Sequence, residues 1–308
     1  MEAVTMITGI TVFGDIMLDT YVTCKNIKVS PEAPVLTAQF TTQIGNACGG
    51  AANVAANICS LDGRRTHVNL VGIVGADLAG QRLLQTDLPM AEVHTEHIKQ
   101  LKHWITTQKT RYIDSNHRHL FRLDQEAPPM LPEEGLLFLR AQLDKLLATS
   151  KTLVISDYNK STCPTGLIES AIDKYREADR FVVVNGKPSH LKHYAGASVI
   201  IFNEKEALEA CHEPEGAYIE DVGDRLRCMT GAEHIIITRG SKGLCCVSKD
   251  TTIAIPAVPT NVADVTGAGD TVTATIALWG CCDQAALKAA VRKASLVVGQ
   301  FGTTICGG

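Results

Sequence analysis

What this 308-residue chain lacks narrows its class before any motif is considered. No apolar run approaches the roughly 20 residues that a membrane-spanning helix requires; the longest, around 181–184 and 234–237, are strand-sized. The N-terminus carries Glu2 and has no basic region ahead of its apolar stretch, which argues against a signal peptide. No run of five like charges occurs and the formal net charge is only -4. A dedicated surface for nucleic acid or an anionic membrane is therefore not expected, although a local anion pocket remains open. Cysteine is plentiful at 11 residues, yet no CxxC pair is present, and Cys245-Cys246 and Cys281-Cys282 are adjacent pairs in apolar segments. That pattern predicts buried, reduced thiols in a cytoplasmic protein rather than a disulfide framework. A GxxxxGK[ST] loop, the third glycine of a dinucleotide fingerprint, a Pro/Gly/Ser-rich linker and internal repeats are also missing.

What is present is the composition of a soluble protein with a substantial core, 45% hydrophobic and 20% charged. Short β-branched runs alternate with helix-length amphipathic segments. Strands are expected at 7–13, 68–74, 152–156, 181–184, 199–202 and 234–238. Helices are expected at 50–61, 77–84, 131–147, 165–176, 204–211, 219–230, 268–278 and 284–298. Such alternation predicts an α/β fold whose mostly parallel central sheet is flanked by helices. Residues 34–42 and 104–113, followed by 119–123, instead alternate in period two, as half-solvated antiparallel strands do. They read as a small inserted β-sheet, drawn from about 15–45 and 92–124, within a single domain spanning 1–308. Such a sheet serves as a lid or as an association surface, and a homodimer is the expected assembly.

The most informative stretch is Asp264-Val265-Thr266-Gly267-Ala268-Gly269-Asp270-Thr271. Small residues at 267–269 let the backbone turn sharply and aim successive N–H groups into one pocket. The helix that follows adds its positive end, and together they make an anion hole suited to a phosphoryl group in flight. Asp270 would repel that anion, so its expected task is to accept the proton of an attacking hydroxyl. The alternative is a glycine-rich turn with Asp270 as a helix-terminal charge, favourable by about 0.3–1 kcal/mol.

This segment resembles the C-terminal signature of the ribokinase-like (PfkB) carbohydrate kinases. Cys48-Gly49-Gly50-Ala51-Ala52-Asn53-Val54-Ala55 resembles that family's N-terminal glycine pair with its downstream asparagine. Asn203-Glu204-Lys205-Glu206 resembles its N-x-x-E element, and Thr238-Arg239-Gly240 its T-R/K-G strand end. The motifs follow family order from Gly14 to about Thr303. The resemblance implies ATP as donor, a small-molecule sugar or sugar phosphate as acceptor, and Asp270 as catalytic base behind an anion hole at Gly267, Ala268 and Gly269. It implies that Asn203 and Glu206 organise Mg²⁺ largely through water, and that Thr238 and Gly240, with Lys187, serve the nucleotide. Asp15, Asp19, Gly49, Gly50 and Asn53 would hold the sugar, and Asp264 would contribute to a K⁺ site beside the anion hole. Read without the family, an Asn-x-x-Glu spacing is an N-cap with its capping-box glutamate.

Within the family, Gly14-Asp15-Ile16-Met17-Leu18-Asp19 and Val29-Ser30-Pro31-Glu32-Ala33-Pro34-Val35 resemble the opening of kinases acting on D-glycero-D-manno-heptose 7-phosphate. Phe121-Arg122-Leu123-Asp124, Ser156-Asp157-Tyr158-Asn159-Lys160 and Val298-Gly299-Gln300-Phe301-Gly302-Thr303 add to that likeness. It implies phosphorylation of the anomeric hydroxyl, by a stand-alone kinase since no H-x-G-H element occurs. Lys109 and Arg111 lie two apart and share a strand face; with Arg122 they are the expected grip on the acceptor's phosphate. The chain departs from the pattern at Asn185-Gly186-Lys187, where relatives read Asp-Pro-Lys, and at Cys48 before the glycine pair. Asn185 leaves open a kinase for another sugar, such as ribose, fructose or a ketodeoxy acid, or a sugar-binding protein with impaired catalysis.

Overall fold

The computed structural model describes residues 9–63 and 65–306. Its first half runs β1 (Gly9–Gly14), β2 (Ile16–Val29), β3 (Leu36–Gly50), α1 (Ala51–Leu61) and β4 (Val68–Gly75). Short helices α2 (Leu78–Arg82) and α3 (Leu88–Met90) lead to β5 (Ile98–Leu101), β6 (Thr107–Ile113) and β7 (His119–Gln125). Then α4 (Glu133–Leu146), β8 (Ser150–Ser156), α5 (Thr165–Glu177), β9 (Phe181–Asn185), β10 (Val199–Asn203), α6 (Glu204–Cys211) and α7 (Ile219–Thr230) alternate. The chain closes with β11 (His234–Thr238), β12 (Leu244–Ser248), β13 (Thr252–Ile255), α8 (Ala268–Trp279) and α9 (Gln284–Val298).

Nine strands form one sheet in the order β13-β12-β11-β10-β9-β8-β1-β4-β5. Pairings from β5 through to β11 are parallel, and only β12 runs against its neighbours. The mechanism is burial on both faces, written as a period of two in the strands. Along β9, Val183 faces the layer built from α1, α8 and α9, while Val182 and Val184 face the layer of α4, α5, α6 and α7. On β11, Ile236 and the pair Ile235 and Ile237 divide in the same way. Each such aliphatic side chain contributes roughly 1.5–3 kcal/mol by leaving water. Helix ends follow their local chemistry. Gly231 and Gly280 terminate α7 and α8 in the left-handed conformation, and Asp283 caps α9 by accepting from the Ala286 N–H. Among the described residues, no helix is long and apolar enough to cross a membrane.

A separate sheet has the order β3-β2-β6-β7. β2 leaves β1 after a single residue, Asp15, so this small sheet grows directly out of an interior strand of the large one. β3 and β7 run longer than the sequence expectation, while β6 starts at Thr107 rather than at 104. β2 had not been expected as a strand, and β3 continues to Gly50. Ile98–Leu101 pairs with β4 at the edge of the large sheet rather than joining the lid. The helix expected at 77–84 is α over Leu78–Arg82 and then π-helical over Leu83–Asp87. Of the strand expected at 7–13, the first two positions lie outside the described residues.

Candidate active site

Parallel strands deliver their carboxyl ends to one rim of the sheet, and ligands of open α/β folds bind there. Here β1, β8, β9, β10 and β11 bring Asp15, Asp157, Asn185, Asn203 and Thr238 to that rim. The start of α8 faces it. Gly267 caps that helix at φ +86°, a left-handed conformation, and a Cβ there would stand 3.1 Å from Asn53 Nδ2. At Gly269 a Cβ would meet nothing within 4 Å, so this backbone is open to an approaching group.

Asp270 follows on the first turn of α8 and is buried. Its Oδ1 accepts from the Tyr158 hydroxyl at 2.6 Å and from Asn185 Nδ2 at 3.4 Å; its Oδ2 accepts from Asn53 Nδ2 at 2.7 Å. Burial pushes the carboxyl up to about 6, against the lowering effect of the Tyr158 and Asn53 hydrogen bonds. A buried carboxylate with a proton affinity near neutrality is what a general base needs. Asn185 thus presents a donor to Asp270 where an aspartate would present a second negative charge.

Asn53 is itself fixed from below. Asn57, one turn on, donates to Asn53 Oδ1 at 3.1 Å and to its carbonyl at 2.9 Å. Gly50 opens α1 at φ +57°, and a Cβ there would fall 2.3 Å from the Asp15 carbonyl oxygen. A Cβ on Gly49 would fall 2.9 Å from Asp19 Oδ2. The glycine pair therefore lets the β3–α1 turn press against the β1–β2 junction, where Ala51 N–H donates to the Asp15 carbonyl.

Two residues expected to hold sugar have protein partners in this geometry. Asp15 is fully buried, and its carboxylate accepts from the backbone N–H groups of Tyr158, Lys160 and Thr162 at 2.8, 3.1 and 3.0 Å. These bonds tie it to the 158–162 loop; burial, then the nearby Asp157, push it up to about 6. Asp19 is buried in an ion pair with Arg111 (Oδ1 to Nη1, 2.6 Å) and accepts from Thr303 Oγ1 at 2.9 Å. Removing either partner of such a pair typically costs about 3–5 kcal/mol, because a buried charge is left alone.

Strand register puts the cations of the small sheet on one of its faces. Arg111 lies opposite Arg122 and Lys109 opposite Asp124 across the β6–β7 pair. Arg111 is spent on Asp19, whereas Arg122 is half-exposed and holds Asp124 through Nε and Nη2 at 2.7 and 2.8 Å. Lys109 is partly buried, which lowers its proton affinity, and its ammonium stands 5.3 Å from the Tyr158 ring centroid. Lys187 stands 5.2 Å from the same centroid and pairs with Glu206 Oε1.

On the nucleotide side, Asn203 and Glu206 form the reciprocal capping box that their spacing suggested, with Asn203 Oδ1 accepting from the Glu206 N–H at 2.9 Å and Glu206 Oε2 from the Asn203 N–H at 3.0 Å. Thr238 ends β11, and Gly240 begins the turn after it at φ +54°. Asp264 Oδ1 accepts from the N–H and hydroxyl of Thr266, while its buried Oδ2 has no hydrogen-bond partner among the described residues.

Sequence reasoning missed Tyr158 as a site residue, along with Asp157 and Thr303. Tyr158 had a usable signal: it follows the end of a buried parallel strand, on the ligand-binding rim. Asp157 accepts from Tyr194 Oη and from His190 Nδ1, both at 2.7 Å, and so anchors the same loop.

Comparison with known proteins agrees with this fold. The model of the pfkB family carbohydrate kinases matches residues 7–307. A Caulobacter vibrioides protein named bifunctional protein HldE is 35% identical over 301 residues, covering 96% of this chain and 60% of that protein. One of the same name from Acidiphilium cryptum is 35% identical over 307 residues, covering 96% and 61%. The chain thus spans about 60% of the length of these relatives. Among solved structures, Escherichia coli phosphofructokinase-2 in complex with potassium superposes with a TM-score of 0.80 at 16% identity, covering 98% of this chain and 96% of that one. Thermotoga maritima ribokinase gives a TM-score of 0.75 at 15% identity, covering 96% and 94%.

Proposed function

Because the chain belongs to the pfkB family of carbohydrate kinases, and is thus a sugar phosphotransferase, we propose that it transfers the γ-phosphate of ATP to the anomeric hydroxyl of D-glycero-D-manno-heptose 7-phosphate. The observation that carries the reading is Asp270, buried behind Gly267, Ala268 and Gly269 and held by Tyr158 and Asn53. The heptose-kinase-like motifs and the HldE relatives support the acceptor. Asp270 takes the proton of the acceptor hydroxyl, and the N–H groups at the start of α8 face the negative charge that builds on the transferring group.

Asn203 and Glu206 would hold Mg²⁺ through water; each Glu206 oxygen keeps a lone pair beyond the cap and Lys187, so the donor set fits. The ion would neutralise phosphate charge, with Lys187, Thr238 and Gly240 beside the nucleotide. The orphaned Asp264 Oδ2 fits a K⁺ ion next to the anion hole. For the acceptor's phosphate, Lys109 and the free Nη1 of Arg122 are the available donors, with Arg111 bracing the sheet through Asp19. We assign a homodimer through the outer lid face, where Phe121 stacks on Tyr112 with centroids 4.3 Å apart and Leu123 is exposed. Sedimentation of a monomer at micromolar concentration would remove that assignment.

Asn185 no longer favours an impaired enzyme, because it donates to the base. The test is turnover of heptose 7-phosphate against the free heptose and a panel of other sugars. Charge-assisted hydrogen bonds are worth about 1.5–3 kcal/mol, so Arg122→Ala should lower kcat/KM for the phosphorylated acceptor by about 10–150-fold, with ATP affinity unchanged. Equal turnover of the free sugar sinks the phosphate grip. Absence of any sugar-dependent ADP release sinks the kinase.

A further inference from the structure

His234, Cys246 and Cys282 come together far from the base, at the ends of β11 and α8 that point away from the phosphoryl-transfer site. His234 opens β11, at the opposite rim of the sheet from Thr238. Cys246 lies on β12 directly opposite Ile236, so it shares a sheet face with His234, two residues back along β11. Cys282 sits in the turn between α8 and α9, with Gly280 ending one helix and Asp283 capping the next. The two thiols are buried and the imidazole is half-buried. The Cys246 Sγ to His234 Nδ1 distance is 4.0 Å, and the three donor atoms all lie within 4.8 Å of one another.

We propose that His234, Cys246 and Cys282 bind a thiophilic d¹⁰ cation, Zn²⁺ being the common one, with water in the fourth position. A tetrahedral ion with Zn–S near 2.3 Å and Zn–N near 2.0–2.1 Å sets its donors about 3.5–3.8 Å apart. Closing from the observed separations takes side-chain movements of an ångström or less. Two sulfurs and one imidazole are the donor set that soft and borderline ions select over Mg²⁺. Binding releases the thiol protons to solvent and ties the β11–β12 hairpin to the α8–α9 turn. Asp270 lies on the opposite end of α8, about nine residues and some 14 Å along the helix from Trp279. The site is therefore a structural clasp rather than part of the phosphoryl-transfer machinery.

The test uses the whole chain, reduced and stripped with a chelator, and Co²⁺ as the spectroscopic probe. One equivalent should give thiolate-to-cobalt charge-transfer absorption with the visible bands of a tetrahedral site, and one equivalent of Zn²⁺ should erase them. Cys246→Ser and Cys282→Ser should each lose the spectrum, while Cys228→Ser, at an exposed thiol, keeps it. Since core substitutions can unfold a protein, His234→Gln is the control at the half-buried ligand: with an unchanged circular dichroism spectrum, it should weaken Co²⁺ binding by at least about tenfold. A reduced wild-type chain that gives no tetrahedral spectrum overturns the proposal. So does a spectrum that survives in the folded His234→Gln and Cys246→Ser chains.

Discussion

Replacing Tyr158 by Phe isolates one hydroxyl. The ring stays beneath the Lys109 and Lys187 ammonium groups, and only the 2.6 Å donation to Asp270 Oδ1 is lost. That donor favours the ionised base, whereas burial favours the protonated one. A hydrogen bond to a charged group is worth about 1.5–3 kcal/mol, and about 1.36 kcal/mol corresponds to one pKa unit. The base should then move from about 6 to roughly 7–8. Catalysis requires the ionised form, so activity falls as pH drops through that value, and the acid limb of kcat/KM moves upward with it. At pH 7 the ionised fraction falls from about 90% to about 10–50%, a loss of roughly 2–10-fold that vanishes near pH 9. The assay is kcat/KM from pH 5 to 9 by coupled ADP release. An acid limb that stays put refutes the reasoning. A loss that is the same at every pH does so too, since it would place the hydroxyl on the substrate instead.

Asn185→Asp puts a second carboxyl 3.4 Å from Asp270 Oδ1; like-charge repulsion should raise the acid limb by about one unit or more, read from the same pH profile. Asp270→Asn should keep the fold and ATP binding, checked by circular dichroism and calorimetry, while kcat falls at least about 100-fold.

The alternation of strands and helices was legible because two-sided burial writes β-branched runs between amphipathic helices. α6, α7, β11 and α9 follow their expected bounds to the residue. β2 was not legible for a related reason. Its first seven residues are buried on both faces and its last five are exposed on both, so no alternation marks it. β12 is hidden in the same way, by a short run of apolar residues with two cysteines. In the site, the signature segment announced Asp270 and its glycines because local sequence alone makes that turn. The partners of Asp270 lie 217, 112 and 85 residues away, and no local pattern reports them. Asp15 shows the converse: a motif position whose neighbourhood turns its carboxylate inward to backbone N–H groups rather than outward to a ligand.

The place of β1 in the large sheet bears on how the chain is made. Residues 10–13 pair on one side with 68–71 and on the other with 152–155. An interior strand of the finished sheet, third from the β5 edge, is thus the first of its strands to leave the ribosome, and its second neighbour comes some 140 residues later. At about 5–20 residues per second, that edge stays open for roughly 7–30 s. A buried, apolar strand with an unpaired edge is a template for pairing with other chains. Synthesis of this protein therefore carries a built-in interval of exposure, and its yield at high expression depends on how well that interval is shielded.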